Sequence, residues 1–299
     1  MTDVVVALDA GGTKLLGGLL TRDGEVLARE QVPTPRGDDG RCDPGLRALQ
    51  ALASRLVERA GHGGLRVRGA GLGIAEYVRG DEVTSTEVFD WQDQPTEVLA
   101  PLAGPVGVEA DVRCAARAEA AALGLGEDSS MAYVSWGTGL SSTLVLGGRC
   151  VAGARGEALA LGAWPVDTWA DPGWSGTLEG FASGRGIEER YRTRTSSPRP
   201  GAEVARLADE GDLDAGCVVD SAAEAVARAV ASLVCVLDPD LVVLGGGIGS
   251  GGGRLATLTT DLVPRLLERP DPPPVRPART GADAGLIGAG LVGWQAAVA

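Results

Sequence analysis

The chain has 299 residues, 44% of them hydrophobic, and a formal net charge of −13 at pH 7. This length can bury a large core and favours two lobes, and the composition is typical of a folded soluble protein. An acidic chain lacks the basic face that a phosphate backbone requires, so we expect no nucleic-acid partner. The short stretch before the first predicted strand also leaves no room for a helix-turn-helix.

Targeting and cysteine signals point to the cytoplasm. No apolar run reaches the length of a membrane span, and the N-terminus lacks a basic stretch followed by an apolar signal core. We therefore expect a cytoplasmic protein with no membrane partner. The five cysteines form an odd count without a CxxC pair, which favours reduced thiols over disulfides or a zinc site.

The N-terminal sequence predicts a strand hairpin that is suited to binding phosphate. An apolar strand ends at Asp9, the chain turns at Gly11 and Gly12, and a second strand follows Thr13 and Lys14. Glycines let the backbone approach an anion, and hydroxyl, ammonium and backbone N–H groups can donate to it. Asp9 is positioned to hold a metal-bound water. An ordinary hairpin turn has the same composition, so this motif alone leaves both interpretations open.

The remaining elements follow from apolar periodicity and turn residues. In the first half we predict strands at 26–33, 67–75 and 105–111, and helices at 44–60, 96–104 and 112–125. In the second half we predict two strands hinged on residues 137–139, a helix with a glycine break at 178–193, a helix at 217–236, a strand that ends at the glycines 245–247, and a small-residue helix at 283–298.

Three glycine turns now stand in order: DAGGTK (9–14), WGTGL (136–140) and LGGGIG (244–249). Asp111 follows a predicted strand between the first two, and LEGFASGRGI and LIGAGLVG follow further along the chain. This order resembles the ROK family (repressors, open reading frames and sugar kinases) of the actin-like/hexokinase ATPase superfamily. The resemblance covers residues 3–296.

The resemblance implies an α/β fold: the two-lobed actin-like ATPase (ribonuclease H-like) fold, with ATP in the interlobe cleft. The small lobe would comprise residues 1–110 and the C-terminal helix 285–299, and the large lobe residues 111–284. It further implies a homodimer.

The resemblance also implies ATP and Mg²⁺ as cofactors and assigns the residues around them. The residues implied for the β- and γ-phosphates are Asp9, Gly11, Gly12, Thr13 and Lys14, with Asp9 holding Mg²⁺ through water. Those implied for the phosphates from the other lobe are Gly137, Thr138 and Gly139, and those for the adenosine side are Gly246 and Gly247.

Asp111 takes the place of the family's catalytic base. A carboxylate there would accept the proton of the attacking hydroxyl and direct its oxygen at the γ-phosphorus. The alternative is that Asp111 caps the helix that follows it, which is a common task for Asp. The surrounding motifs favour the catalytic role, and one residue can do both.

The chain departs from the family on the sugar-facing side. Alanines 110, 160 and 163 stand where the family has Asn, Glu and His, although a one-turn slip would make Glu157 the sugar ligand. Glu76 replaces a residue of Pro-Gly-Pro, and Glu87 replaces a sugar-contacting Asn. These two acids could pair with a substrate ammonium group or be solvated loop residues.

The family's cysteine-rich zinc segment is also absent. Ala170, Pro172 and Thr177 stand at the cysteine positions, and the only histidine, His62, lies far away in the sequence. We therefore expect no zinc site. The tryptophans at 164, 169 and 174 are expected to pack as an apolar wall in its place.

Loss of several hexose hydrogen bonds makes an ordinary glucokinase a poor fit, because each lost partner costs about 1–3 kcal/mol. The sequence therefore predicts an ATP-dependent kinase whose acceptor is another polyol: an aminosugar, an aminocyclitol or a nucleoside-like intermediate of specialised metabolism. One alternative is a non-catalytic ROK-type ligand sensor or pseudokinase. Another is a glucokinase or N-acyl-hexosamine kinase with shifted sugar ligands. The acidic charge and the lack of room for an N-terminal DNA-binding domain argue against a third alternative, a DNA-binding repressor.

Overall fold

The computed structural model describes residues 1–166, 174 and 176–298. Its strands are β1 (Asp3–Ala10), β2 (Lys14–Leu20), β3 (Val26–Pro33), β4 (Arg66–Ile74), β5 (Val78–Arg79), β6 (Glu82–Val83), β7 (Val106–Ala110), β8 (Ser130–Trp136), β9 (Leu140–Leu146), β10 (Arg149–Cys150), β11 (Leu241–Gly245) and β12 (Val275–Pro277). Its α helices are α1 (Arg47–His62), α2 (Pro95–Ala103), α3 (Asp111–Leu123), α4 (Leu178–Ala182), α5 (Gly184–Thr195), α6 (Gly201–Asp209), α7 (Leu213–Leu237), α8 (Gly246–Gly249), α9 (Arg254–Leu267) and α10 (Ala284–Val298).

The chain forms two compact units. The first comprises Met1–Ala121, Cys150–Ala158 and Asp283–Ala299, and the second comprises Ala122–Arg149 and Leu159–Ala282. The family resemblance predicts a division at 110/111, whereas the first unit also contains α3 up to Ala121 and residues 150–158. Part of the reason is Arg113 of α3, which donates to the carbonyl of Gly156 at 3.0 Å.

The sheet of the first unit has the order β3-β2-β1-β4-β7. The first three strands form antiparallel pairs, and β4 and β7 extend the sheet in parallel with β1. Parallel strands end at the same edge, so residues that follow β1, β4 and β7 collect there. Asp9 lies opposite Gly73, and Gly73 lies opposite Glu109.

Both faces of this sheet are covered, which explains the unbroken apolar run in β1. Val4, Val6 and Leu8 pack in the core on the α1 face. Val5 and Ala7 pack in a second core with residues of α10. Successive side chains of a strand point to opposite faces, so an apolar run is needed where both faces are buried.

Small residues allow α10 to lie directly on the sheet. A Cβ added to Gly293 would come within 2.7 Å of the Gly71 backbone nitrogen, and one added to Gly290 would meet the side chain of Leu20 at 2.6 Å. The small-residue composition of the predicted C-terminal helix therefore reflects close backbone packing.

The second unit repeats much of this strand arrangement. Its sheet has the order β10-β9-β8-β11-β12, with β8 and β9 antiparallel, and β11 parallel to both β8 and β12. A core of α4, α5, α6, α7 and α9 side chains covers one face of this sheet. Each unit thus begins its sheet with a hairpin closed by a glycine turn.

Two differences from the predicted elements have local causes. The predicted helix 178–193 is divided at Ser183, whose hydroxyl accepts the Gly186 N–H at 3.2 Å and so starts a new helix. Helices α6 and α9 had no counterpart in the sequence prediction. None of the helices in the described part of the chain is both long and apolar enough to cross a membrane.

Candidate active site

The turn between β1 and β2 is tight. Ala10 pairs with Leu15, and the Gly11 N–H donates to the Lys14 carbonyl at 3.1 Å. A Cβ on Gly11 would lie 3.3 Å from that same carbonyl oxygen. A side chain at Gly11 would therefore crowd the carbonyl that its own N–H binds.

The carbonyls of this turn are held by the segment that follows β3. Gly11 O accepts the Thr34 hydroxyl at 2.7 Å, and Gly12 O accepts an Arg36 N–H at 3.0 Å. Thr13 O accepts the Thr34 backbone N–H at 3.1 Å. In a trans peptide the N–H points opposite to the preceding C=O, so the amides of Gly12 and Thr13 are directed away from these supports. Such a set of amides suits a phosphate.

Asp9 lies at the end of β1, close to the N-terminal turn of α10. A Cβ on Gly285 would come within 2.5 Å of its Oδ2 atom. Burial raises the pKa of the Asp9 carboxyl to about 6, against the opposite effect of Lys14. Its negative charge is thus incompletely compensated, and the site fits a hydrated divalent cation, which prefers carboxylate and water oxygens.

Asp111 is the first residue of α3 and follows β7 directly. The Val112 N–H donates to its Oδ1 at 2.6 Å, so the carboxylate accepts a backbone hydrogen bond in the first turn of α3. A helix N-terminus also stabilises negative charge. Since adjacent strands lie about 4.8 Å apart, β1 and β7 are about 10 Å apart across β4, and both acids lie at the same edge.

The Glu76 carboxylate accepts hydrogen bonds from within the protein. Its side chain is buried, and its Oε1 accepts the Val88 and Phe89 N–H groups at 2.7 Å each. Its Oε2 accepts the Glu87 N–H at 2.9 Å and the Ser85 hydroxyl. Four internal donors occupy the buried carboxylate, so the prediction of a solvated loop acid is wrong, and the pairing with a substrate ammonium stays a prediction that competes with these bonds. Glu76 fixes the loop 85–89.

The other two candidate acids are exposed. Glu87 lies in the loop held by Glu76, and Glu157 forms a 3.8 Å ion pair with Arg155. Gly156, which precedes Glu157, has a φ of +84° and packs against the carbonyl of Val78. The structure therefore brings the Glu157 segment next to the strand that follows Glu76, within the first unit.

The second unit has a matching glycine turn between β8 and β9. The Gly137 N–H donates to the Gly139 carbonyl at 2.9 Å. Gly137 O and Thr138 O accept backbone N–H groups from Gly184 and Arg185, at 2.8 and 3.3 Å. The amides of Thr138 and Gly139 are therefore directed away from the start of α5.

Gly246 and Gly247 adjoin this turn. Gly246 has a φ of +75°, and a Cβ there would meet the Trp136 carbonyl oxygen at 2.5 Å. A Cβ on Gly137 would lie 3.6 Å from the Gly247 nitrogen. The structure thus brings the second and third glycine motifs together at the ends of the parallel strands β8 and β11.

Sequence reasoning missed the residues that support these turns. Thr34 and Arg36 hold the first turn, and Ser183 starts the helix that holds the second. Glu179 accepts the Leu140 N–H at 2.8 Å, at the end of the second turn. Of these four residues, Glu179 and Ser183 carried a signal, because both lie in the LEGFASGRGI motif.

The segment at the family's zinc position is only partly described. Trp174 packs edge-on against Phe181 with ring centroids 5.5 Å apart, and Trp164 packs on the core of the second unit. The predicted roles of Trp169, Ala170 and Pro172 lie outside the described residues. Among the residues that the structure describes, no group of three or more His, Cys, Asp or Glu side chains could hold a metal ion.

The sequence model of the ROK family matches residues 5–295. The chain belongs to the ROK family. Its curated relatives include an N-acetylmannosamine kinase of Yersinia pseudotuberculosis, 30% identical over 295 residues that cover 96% of this chain and 97% of the relative.

Solved structures agree with the family assignment. A ROK hexokinase from Thermus thermophilus is 34% identical, covers 98% of both chains and superposes on this ROK protein with a TM-score of 0.81. A ROK glucokinase from Streptomyces griseus, in complex with glucose and AMPPNP, is 27% identical over 98% of this chain and 99% of its own, with a TM-score of 0.78. The predicted two-lobed α/β actin-like fold is confirmed.

Proposed function

We propose that this ROK protein is an ATP-dependent kinase that transfers the γ-phosphoryl group of MgATP to a hydroxyl of a sugar. The observation that carries the proposal is the pair of glycine turns, in each of which successive carbonyls are held by one neighbouring segment: residues 34–36 in the first turn and the start of α5 in the second. This arrangement directs backbone amides to the other side, where they can neutralise phosphate charge, the main requirement of phosphoryl transfer. The related hexokinase, glucokinase and N-acetylmannosamine kinase support it.

The three glycine motifs would bind the nucleotide. Gly11, Gly12, Thr13 and Lys14 would bind the β- and γ-phosphates, and residues 137–139 would bind phosphates from the second unit. Gly246 and Gly247 would face the adenosine. Asp9 would hold the Mg²⁺ of MgATP through water, which is consistent with its undercompensated buried charge.

Asp111 would act as general base. It would accept the proton of the acceptor hydroxyl as that oxygen attacks the γ-phosphorus, and the ADP β-phosphate oxygen would leave. Its place after β7, at the same sheet edge as Asp9, supports this role.

For the acceptor we propose an aminosugar, with N-acylated hexosamines first. Ala110 offers no side-chain partner for a ring hydroxyl and leaves room for a bulkier substituent. Glu157 would be the sugar ligand, because its segment packs on Val78 in the same unit as Asp111. The N-acetylmannosamine kinase relative favours this class over aminocyclitols and nucleosides. A homodimer remains a proposal.

Purified protein and MgATP would be tested for ADP release with N-acetylmannosamine, N-acetylglucosamine, glucosamine, glucose, an aminocyclitol and a nucleoside. We expect the highest kcat/KM with an N-acylated hexosamine. Efficient glucose phosphorylation would contradict the acceptor proposal and leave the kinase intact. Calorimetric ATP binding with no turnover on any acceptor would instead favour a ligand sensor.

A further inference from the structure

Arg113 joins three segments of the first unit through one buried guanidinium. Its side chain is 4% exposed, and its Nε donates to the carboxylate of Glu109 at the end of β7. Its two terminal nitrogens donate to the carbonyl of Gly156 at 3.0 Å and to that of Val78 at 2.5 Å. Each nitrogen of the group thus has an acceptor, and each acceptor lies on a different segment.

The loop 150–158 is attached to α3 through this contact. The loop closes on itself through a 3.1 Å bond from the Ala158 N–H to the Ala152 carbonyl. The Cys150 thiol lies 3.5 Å from the carbonyl oxygen of Arg113. Gly156 has no room for a side chain against Val78, so the loop lies directly on that strand.

The buried ion pair of Arg113 and Glu109 is better suited to holding segments in position than to stabilising the fold. Removing two opposite charges from water costs free energy that their attraction often fails to recover, so a buried ion pair is a weak source of stability. A lysine could pair with Glu109, but it lacks the planar fork that reaches two carbonyls at once. Glu109 also accepts from Arg117 at 3.0 Å, so its carboxylate would keep a partner without Arg113.

We infer that Arg113 is a positioning residue for the acceptor: it fixes the Glu157 loop and the strand after Glu76 relative to Asp111. The inference rests on the proposed function for its kinetic consequence, and on the hydrogen bonds alone for its structural one. A displacement of about 1 Å between acceptor and base can cost about a hundredfold in rate, so this anchoring is expected to matter.

The test compares Arg113→Met and Arg113→Lys with Arg117→Met. The control removes a guanidinium from the same carboxylate but touches neither carbonyl. Hydrogen exchange of the Ala158 amide reports on the loop without any substrate, and KM for acceptor and for ATP are measured with the best acceptor of the panel. We expect both Arg113 variants to exchange that amide at least about tenfold faster and to raise the acceptor KM by about tenfold, with the KM for ATP unchanged.

Unchanged exchange in Arg113→Met would show that Arg113 does not hold the loop. An equal effect in Arg117→Met would show that loss of either positive charge beside Glu109 is enough, and this would also overturn the inference. Faster exchange with unchanged acceptor KM would overturn the positioning role. If Arg113→Met does not fold, Arg113→Lys decides the same comparison. If the wild type phosphorylates no acceptor, the proposed function fails, and the exchange result still decides whether Arg113 holds the loop.

Discussion

The role of Glu76 can be tested by Glu76→Gln, which keeps the shape of the side chain and removes its charge. The glutamine oxygen can still accept from Val88 and Phe89. Its NH₂ group would meet the Ser85 hydroxyl, which can rotate, and the Glu87 N–H, which cannot. One donor therefore faces another donor in a buried position.

The expected loss of stability follows from these bonds. A hydrogen bond to a charged group contributes about 1.5–3 kcal/mol, and a donor left without an acceptor costs about 1–3 kcal/mol. We expect the free energy of unfolding to fall by about 2–3 kcal/mol in Glu76→Gln, measured by urea denaturation. A matched control is Glu82→Gln, because Glu82 is exposed and has only a 3.6 Å ion pair with Arg79.

Kinetics separate the two roles considered for this carboxylate. If Glu76 fixes the loop, the KM values of amine-bearing and neutral acceptors rise together, and the KM for ATP does not change. A loss of about 1.4 kcal/mol in the free energy of acceptor binding corresponds to a tenfold rise. If Glu76 pairs with a substrate ammonium, only amine-bearing acceptors are affected. A selective rise, or an unfolding free energy equal to that of Glu82→Gln, would refute the loop role.

Three further substitutions test the nucleotide and catalytic sites. Asp111→Asn is expected to lower kcat by about a hundredfold or more while ATP affinity by calorimetry stays unchanged, and an active variant would exclude the base role. Thr34→Val removes the hydroxyl bond to Gly11 O, so the KM for ATP should rise by about fivefold with the acceptor KM unchanged. Asp9→Asn should abolish turnover yet stabilise the fold at pH 8. The native pKa of about 6 lies above the ordinary Asp value of 3.8, so the folded state binds the proton more tightly and wild-type stability falls as pH rises between these values. Relative to wild type, the Asn variant should gain about 2–3 kcal/mol at pH 8 and almost nothing at pH 4, and a gain independent of pH would contradict this.

The parts of the fold that the sequence predicted correctly are those with a local signal. The apolar run of β1 and the glycines after Asp9 predict a buried strand and a turn from neighbouring residues alone. The long helix α7 shows its apolar face over many turns. Each of these depends on periodicity or on the freedom of glycine, and both can be seen in a single stretch of sequence.

Glu76 shows why the acceptor side could not be predicted in the same way. Its partners are backbone N–H groups 11–13 residues away and a serine hydroxyl 9 residues away. A backbone N–H has no residue identity, so a glutamate that binds several of them has the same sequence appearance as a glutamate in a solvated loop. Arg113 is a similar case, because two of its three acceptors are carbonyls.

The two glycine turns reach the same arrangement by different means. In the first unit, the Thr34 hydroxyl and the Arg36 guanidinium bind two of the carbonyls, and the Thr34 backbone N–H binds a third. In the second unit, backbone amides at the start of α5 do so, and a Cβ on Gly184 would come within 2.9 Å of the Gly137 oxygen. Side-chain substitutions can therefore adjust the first turn gradually, whereas the second is tied to the position of a whole helix. Under the proposed function, in which residues 137–139 bind phosphates, the second turn would keep the nucleotide in place. Changes around Asp111, Glu76 and Glu157, which lie in the first unit but outside its glycine turn, would then alter the acceptor without altering either turn.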